Sequence, residues 1–510
     1  MALNANKDGF TLGIVGTGVM GRGIAQIAAQ AGLKVLLYDS KPGAAADARG
    51  SVQKALSRLA EKGKITAESA NAAVNRIVLI DGIVDFASAD MVAEAILEQI
   101  EAKHGLFQAL EEVVSPECLL ATNTSSLSVT EIAAGCRLPG RVGGFHFFNP
   151  VPLMKIVEVI EGILTEPWVG EALVTLARRM GHTPVRAKDT PGFIVNHAGR
   201  GFVTESLRIL GEGIAEHHDV DRILRLGAGF RMGPFELLDL TALDVSHPAM
   251  EAIYNQYYQE PRLRPSPIAR QRLMAGLLGR KVGRGFYNYS ESGPVPVPAA
   301  EIPAARPSSV WVSKARPDVC KVVGALVLKL GGKLETGGSP SPNALSVVLP
   351  LGSDATTACL AEGLDPSRTV ALETLCGLQT QRTLMLNPLT APEVRDAAHG
   401  LFGSDGVPVS VIFDSAGFVA QRVLAVIINN ACDIVQQRIT TPEELDRAVT
   451  LGLGYPMGPL AWGDVLGPKT VLTILEEMAA FYGDPRYRPS PWLTRRARLG
   501  VSLLTPENSH

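Results

Sequence analysis

The run Gly16-Thr17-Gly18-Val19-Met20-Gly21 stands directly behind the apolar segment Leu12-Gly13-Ile14-Val15 and ahead of the small-residue stretch Gly23-Ile24-Ala25-Gln26-Ile27-Ala28-Ala29. Three glycines at this spacing let a strand turn tightly into a helix, bring backbone amides close to a pyrophosphate and seat the helix against its sheet. Gly32 ends the predicted helix, and Val35-Leu36-Leu37-Tyr38 reads as the next strand, closed by Asp39. A carboxylate about 20 residues past the glycines accepts hydrogen bonds from a ribose diol and repels a 2′-phosphate. The segment therefore predicts a Rossmann-type βαβ unit binding NAD rather than NADP, with Gly16, Gly18, Val19, Met20, Gly21 and Asp39 on the cofactor.

At 510 residues the chain exceeds what one hydrophobic core serves, and its 46% hydrophobic and 19% charged content is ordinary for a globular protein. A formal net charge of −3 argues against nucleic acid or an anionic membrane as an obligate partner. The six cysteines show no metal-binding spacing, so no metal is expected, and no run reaches the length of a membrane span. Met1-Ala2-Leu3-Asn4-Ala5-Asn6-Lys7 carries no apolar signal segment, and a cytoplasmic location is the expectation.

Alternation of β-branched runs with amphipathic stretches predicts a parallel α/β domain over 8–189, with later strands at Met91–Ile96, Cys118–Thr122 and Val142–His146. A helical domain follows over 190–289. Residues 290–317, crowded with proline, read as a linker, and 318–415 as a reduced Rossmann-like domain without a glycine fingerprint and so without a cofactor. A second helical domain is expected over 416–505, because the first one repeats there. Gly192-Phe193, Asp221-Arg222, Met232-Gly233-Pro234 and Asp239 recur 225 positions later as Gly417-Phe418, Asp446-Arg447, Met457-Gly458-Pro459 and Asp464. Arg264-Pro265-Ser266-Pro267 then returns as Arg488-Pro489-Ser490-Pro491, at a separation of 224. One register held by so many turn residues predicts duplication of the helical domain.

Oxidation of a secondary alcohol needs a base for the hydroxyl proton and a group that tunes that base. His146 sits at a predicted strand end in Gly144-Phe145-His146-Phe147-Phe148-Asn149-Pro150, between aromatics that exclude water. Glu158 lies in the following strand, placed to accept the other imidazole N–H, and the two form the expected dyad.

These residues, with Asn123-Thr124-Ser125-Ser126-Leu127, Pro191-Gly192-Phe193-Ile194-Val195-Asn196 and Gly283-Arg284-Gly285-Phe286-Tyr287, make the chain resemble the L-3-hydroxyacyl-CoA dehydrogenase family over about 10–290. The resemblance implies that His146, Glu158, Ser125 and Asn196 form the catalytic set, with Ser125 and Asn196 on the substrate's C3 oxygen and thioester. It assigns Glu98, Lys103 and Asn123 to the cofactor side, and an acyl-CoA thioester as substrate. For CoA the candidates are Arg58 and Lys62, in a basic helix end suited to phosphates, together with Ser125 and Asn149. The whole length resembles a long bacterial form of that family tied to phenylacetate breakdown, which implies 3-hydroxyadipyl-CoA; a short-chain 3-hydroxybutyryl-CoA is the alternative. The second half departs from the pattern, with Gln421 for Asn196 and a leucine for His146 in Leu384-Met385-Leu386-Asn387-Pro388, so one active site per chain is expected. In single-copy relatives the helical domain is the dimer interface, and its duplication implies an internal pseudo-dimer; homo-oligomerisation of the whole chain stays open.

Two rival readings remain at this level. A 6-phosphogluconate-type hydroxyacid dehydrogenase would rely on a lysine instead of a His–Glu pair. A dinucleotide-binding structural protein without catalysis would have had no reason to keep all four site residue types.

Overall fold

The computed structural model describes residues 3–298 and 300–507; the reading of the N-terminal Met1-Ala2 and of Ala299 in the proline-rich stretch lies outside them. The chain forms two units, one of residues 1–197 with 437–453 and one of 198–436 with 454–510.

The first unit is built on eight strands: β1 (Thr11–Val15), β2 (Lys34–Tyr38), β3 (Ile77–Leu79), β4 (Met91–Glu94), β5 (Leu119–Thr122), β6 (Val142–Phe147), β7 (Ile156–Glu161) and β8 (Thr183–Lys188). Their order is β3-β2-β1-β4-β5-β6-β7-β8. The first six run parallel, and β7 meets β6 antiparallel before β8 joins it in parallel. Burial on both faces explains why β1, β4 and β5 read as continuous apolar runs and not as alternating ones. Helices α1 (Val19–Gln30), α2 (Ala44–Glu61), α3 (Ala67–Asn75), α4 (Ile100–Glu111), α5 (Val129–Ala134) and α6 (Pro167–Arg179) connect the strands. Ile24, Ala25, Ile27, Ala28 and Ala29 of α1 pack into the same core as Leu12 and Ile14 of β1. A short helix α7 (Val195–Ala198) closes this part of the chain.

The second unit carries α8 (Arg200–Gly211), α9 (His217–Arg222), α10 (Pro234–Thr241), α11 (Leu243–Gln256) and α12 (Pro267–Met274). A two-stranded hairpin of β9 (Tyr289–Ser290) and β10 (Gly293–Pro294) follows. Next comes a six-stranded sheet with β11 (Val310–Val312), α13 (Pro317–Lys329), β12 (Leu334–Glu335), β13 (Leu345–Val348), α14 (Ala355–Ala361), β14 (Thr369–Leu372), β15 (Arg382–Leu386), α15 (Pro392–Phe402) and β16 (Val409–Ile412). Its order is β12-β11-β13-β14-β15-β16. The remaining helices are α16 (Ala420–Gln436), α17 (Pro442–Leu453), α18 (Pro459–Leu466), α19 (Pro468–Tyr482) and α20 (Pro491–Leu499), of which α17 belongs to the first unit.

Local geometry recurs at the repeated positions. Gly192-Phe193 and Gly417-Phe418 both take positive φ, at 76° and 48° against 84° and 49°. Gly233 and Gly458 each precede a proline at the first turn of α10 and α18. Ser266 and Ser490 cap α12 and α20 through their side chains. Asp239 accepts from the amides of Phe286 and Tyr287, and Asp464 from the amide of Leu503, each anchoring the segment that follows its helices. Helix α8 packs along α16. Arg262 donates to the Arg488 carbonyl at 2.7 Å, and Arg486 to the Arg264 carbonyl at 3.5 Å.

Three expectations are corrected. The stretch 290–317 is not a plain linker, because Val310-Trp311-Val312 forms a buried strand of the second sheet; β-branched and aromatic side chains outweigh the surrounding prolines there. Residues 437–453 group with the first unit and not with the second helical set: the Lys188 amide donates to the Ile439 carbonyl at 2.9 Å, and the Arg186 amide to Glu444 at 3.4 Å. Finally, Leu384 does not stand where His146 does. Thr383 pairs with Ser410 as Glu158 pairs with Val185, so β15 takes the place of β7. The residue bonded across to Thr383 is Glu373, whose amide donates to the Thr383 carbonyl at 3.0 Å. The Asn-Pro that follows both runs suggested the wrong strand.

Among the described residues no helix is long and apolar enough to cross a membrane.

Candidate active site

The glycines divide the work as their spacing predicts. Gly16 has φ of 92°, and a methyl there would lie 2.5 Å from the Ala95 carbonyl oxygen; at Gly21 it would lie 1.9 Å from the Gly16 oxygen. Gly18, at the N-cap of α1, has nothing within 4 Å, and no side chain caps that helix. The turn is thus packed tightly from behind and open in front, the shape a pyrophosphate at a helix N-terminus requires. Val19 is exposed and Met20 half-buried at the start of α1.

Asp39 closes β2 and accepts the Thr17 amide and hydroxyl, both at 2.8 Å, and the Lys41 amide at 2.9 Å. Burial raises its carboxyl, but the Lys41 and Thr17 hydrogen bonds and the Lys41 charge outweigh that and hold it below the usual carboxylate range. It remains an anion with acceptor capacity for a diol. Replacing Asp39 with Ser while placing Arg at Ser40 should turn the preference toward NADP(H), measured as the ratio of kcat/KM for the two cofactors. Equal use of both by the native chain would remove Asp39 from this role.

The carboxyl ends of β4 and β5 carry a linked set of polar groups. Lys103 is buried and bonds Glu94 at 2.7 Å and Glu98 at 3.3 Å. Glu94 also accepts the Thr122 hydroxyl and the Ile96 amide, each at 2.7 Å. Glu98 accepts the Thr124 hydroxyl at 2.7 Å and the amides of Ser125 and Ser126 at 2.8 and 3.0 Å. Burial raises the Glu98 carboxyl, and the Lys103 charge with these donors more than reverses it. The Ser125 hydroxyl lies 3.4 Å from Glu98, and the cap of α5 is Ser128, not Ser125. Glu94 was not apparent from sequence; as a buried acid ending a strand beside the glycine turn it had a signal, but only with the strand order known.

His146 and Glu158 face each other across the β6–β7 pair. His146 Nδ1 lies 2.6 Å from Glu158 Oε2, both side chains being buried. The other carboxylate oxygen of Glu158 accepts the amides of Ile194 and Val195 at 2.9 and 2.8 Å. Asn196 follows immediately in α7, so the same bonds that fix the acid fix the placement of the asparagine. Phe148 and Phe193 flank the imidazole, with ring centroids at 4.5 and 5.8 Å. Asn123 accepts the Phe147 amide at 2.9 Å and ties the end of β5 to the end of β6. With Nδ1 committed to a carboxylate, Nε2 is the nitrogen left for a substrate proton.

A cleft of about 350 Å³ lies between α1, α2 and the loop after β6, lined by Val19, Arg22, Lys54, Arg58 and Asn149 among others. Arg58 and Asn149, singled out in the sequence, line it; Arg22 and Lys54, which only the packing of two helices brings beside them, have no such signal there. Lys62 sits at the C-cap of α2 and is not among the lining residues.

A glycine turn open to a pyrophosphate, an acid at the end of β2 and a buried imidazole–carboxylate pair define an NAD-dependent dehydrogenase. The family model for the NAD binding domain of 3-hydroxyacyl-CoA dehydrogenase matches residues 11–190, and that for its C-terminal domain matches 192–289 and 417–502. The chain belongs to the 3-hydroxyacyl-CoA dehydrogenase family. It is 37% identical over 490 residues to a 3-hydroxyadipyl-CoA dehydrogenase of Escherichia coli, covering 96% of this chain and 98% of that one. It is 40% identical to a probable 3-hydroxybutyryl-CoA dehydrogenase of Deinococcus radiodurans, across 54% of this chain and 99% of the relative. A crystal structure of 3-hydroxybutyryl-CoA dehydrogenase from E. coli superposes with a TM-score of 0.84 at 35% identity, covering 97% of this chain and 99% of that one.

Proposed function

We propose that the chain oxidises (S)-3-hydroxyacyl-CoA to 3-oxoacyl-CoA, with His146 as the base, and that its substrate is 3-hydroxyadipyl-CoA. The observation that carries the chemistry is the 2.6 Å bond between His146 Nδ1 and a Glu158 fixed by two backbone amides. Bound NAD supplies the acceptor for the hydride leaving C3. His146 Nε2 takes the hydroxyl proton, and Glu158 stabilises the imidazolium that results. Ser125 and Asn196 donate to the C3 oxygen and the thioester as the carbonyl forms. Asp39 holds the adenosine ribose, Gly16, Gly18, Val19, Met20 and Gly21 hold the pyrophosphate, and Glu98, Lys103 and Asn123 order the nicotinamide side. Arg58 and Asn149, joined by Arg22 and Lys54, receive the CoA phosphates in the cleft beside α2.

The dicarboxylic substrate is favoured by the relative that spans almost the whole chain. Comparing 3-oxoadipyl-CoA with acetoacetyl-CoA as NADH-dependent substrates tests it: a higher kcat/KM for the former is expected, and a preference for acetoacetyl-CoA overturns it in favour of a short-chain enzyme. Arg58→Ala and Lys54→Ala should raise KM for either thioester with little change in kcat.

The helical domain is read as duplicated, its sets of 190–289 and 416–505, the latter without 437–453, flanking a reduced α/β domain and pairing about an approximate two-fold axis. The paired bonds Arg262 to Arg488 and Arg486 to Arg264 support this, since a two-fold contact presents residue i to j and j to i. The second sheet holds no glycine fingerprint and has Glu373 at the histidine's place, which supports one active site per chain. The chemistry of NAD and CoA and the six cysteines, none of them in a disulfide, fit a cytoplasmic enzyme.

A further inference from the structure

Where α8 packs along α16, the contact is not apolar throughout. Glu205 of α8 and Arg422 of α16 are both fully buried and bonded at 2.7 Å, and Glu205 also accepts from Arg486 at 3.2 Å and from the Tyr487 hydroxyl at 2.8 Å. The repeat shows how unequal this is. Position 430, the counterpart of Glu205, is Asn, and its two side-chain polar atoms are buried without a hydrogen-bond partner. Position 197, the counterpart of Arg422, is His. The acid therefore lies on one set only, and the arginine that requires it on the other.

We infer that the Glu205–Arg422 pair is a selectivity element that makes the face of the first helical set fit the second set and reject like-with-like pairing between chains. This rests on the pairing of the two sets proposed above. Were two second sets to meet through the same face, Arg422 would look onto Asn430 and Gln437 of the other chain, the counterparts of Glu205 and Glu212, and find no carboxylate. Asp433, now paired with Arg262, and Asp484, now paired with Arg208, would come together as two acids. Were two first sets to meet, Arg262 would face Arg208. A chain that carries one set meets only identical faces and has no such choice to make; a chain that carries both sets does. Stranding a buried charge is costly enough to shift a pairing equilibrium by about 10²–10³-fold.

Moving the acid to the other set tests this. In the full chain, Glu205→Asn and Glu212→Gln with Asn430→Glu leave Arg422 a carboxylate only on the second set of another molecule, since Glu212 also bonds Arg422 at 2.7 Å. After refolding over a range of concentrations, sedimentation equilibrium should show a concentration-dependent doubling of the native mass. An unchanged mass in a variant with native circular dichroism and NADH affinity overturns the selectivity. If that variant does not fold, Arg422→Gln serves: it should both lower the urea midpoint and double the mass at high concentration, whereas a lowered midpoint at constant mass marks a merely structural pair and overturns the inference. The pairing itself is checked separately with Gly201→Cys and Val426→Cys, since a methyl at Gly201 would lie 3.2 Å from the Val426 side chain. Failure of that disulfide to form overturns the pairing and the selectivity together; its formation confines any failure to the selectivity.

Discussion

His146→Ala is expected to lower kcat by about 10²–10⁴-fold, the usual worth of a positioned general base. NADH affinity should stay within the native range, because the imidazole is bonded to Glu158 and flanked by Phe148 and Phe193, not by the glycine turn. Steady-state rates with a 3-oxoacyl-CoA and a fluorescence titration with NADH separate the two quantities. A variant that keeps native kcat would remove His146 from the reaction. Glu158→Gln should lose less in rate, since the acid orients and stabilises the ring without taking the proton. It should also cost stability: Glu158 is fully buried, and its second oxygen holds the amides that lead into α7.

Ending the chain after Pro317 is expected to abolish the native soluble form. Helix α8 is buried along almost its whole length, from Gly201 to Leu207 and again at Ile209. Removing α16 would expose Phe202, Val203 and Leu207 and leave Glu205 without its arginines. The truncated chain should aggregate through that exposed face, read by sedimentation velocity. A soluble monomer with full activity at high concentration would show that the second helical set does not complete the first, and that it serves elsewhere, such as over the acyl end of the substrate.

The first sheet and the polar groups at its strand ends were legible because their signals are local. The glycine turn, Asp39 and the His146–Glu158 pair each depend on strand ends and on neighbours within a few tens of residues, and the physics of a tight turn or a cross-strand pair leaves little choice of residue. What was not legible depends on packing across the chain. Arg22 and Lys54 belong to different helices and meet Arg58 and Asn149 only once α1 and α2 dock. The Glu94–Lys103 pair needs the order of β4 and β5. Val310-Trp311-Val312 was hidden by prolines on either side, and Leu384 was mistaken for the histidine's counterpart because an Asn-Pro dipeptide follows both strands. The repeat itself misled at 437–453, where a period in sequence says which residues correspond but not which neighbours they keep.

That last segment has a consequence for synthesis. β8 is complete by Lys188, yet the backbone that bonds to it comes from Ile439, and the methyls of Val195 rest against Gly452. A ribosome that has finished the cofactor-binding sheet must still deliver about half of the chain before the segment that covers its last strand emerges. Until then, the nascent first unit carries an open edge in the cell, and a stall anywhere between Lys188 and Leu453 would leave it so. Pulse-chase proteolysis of stalled chains should find cleavage near β8 persisting until residue 453 has cleared the exit tunnel.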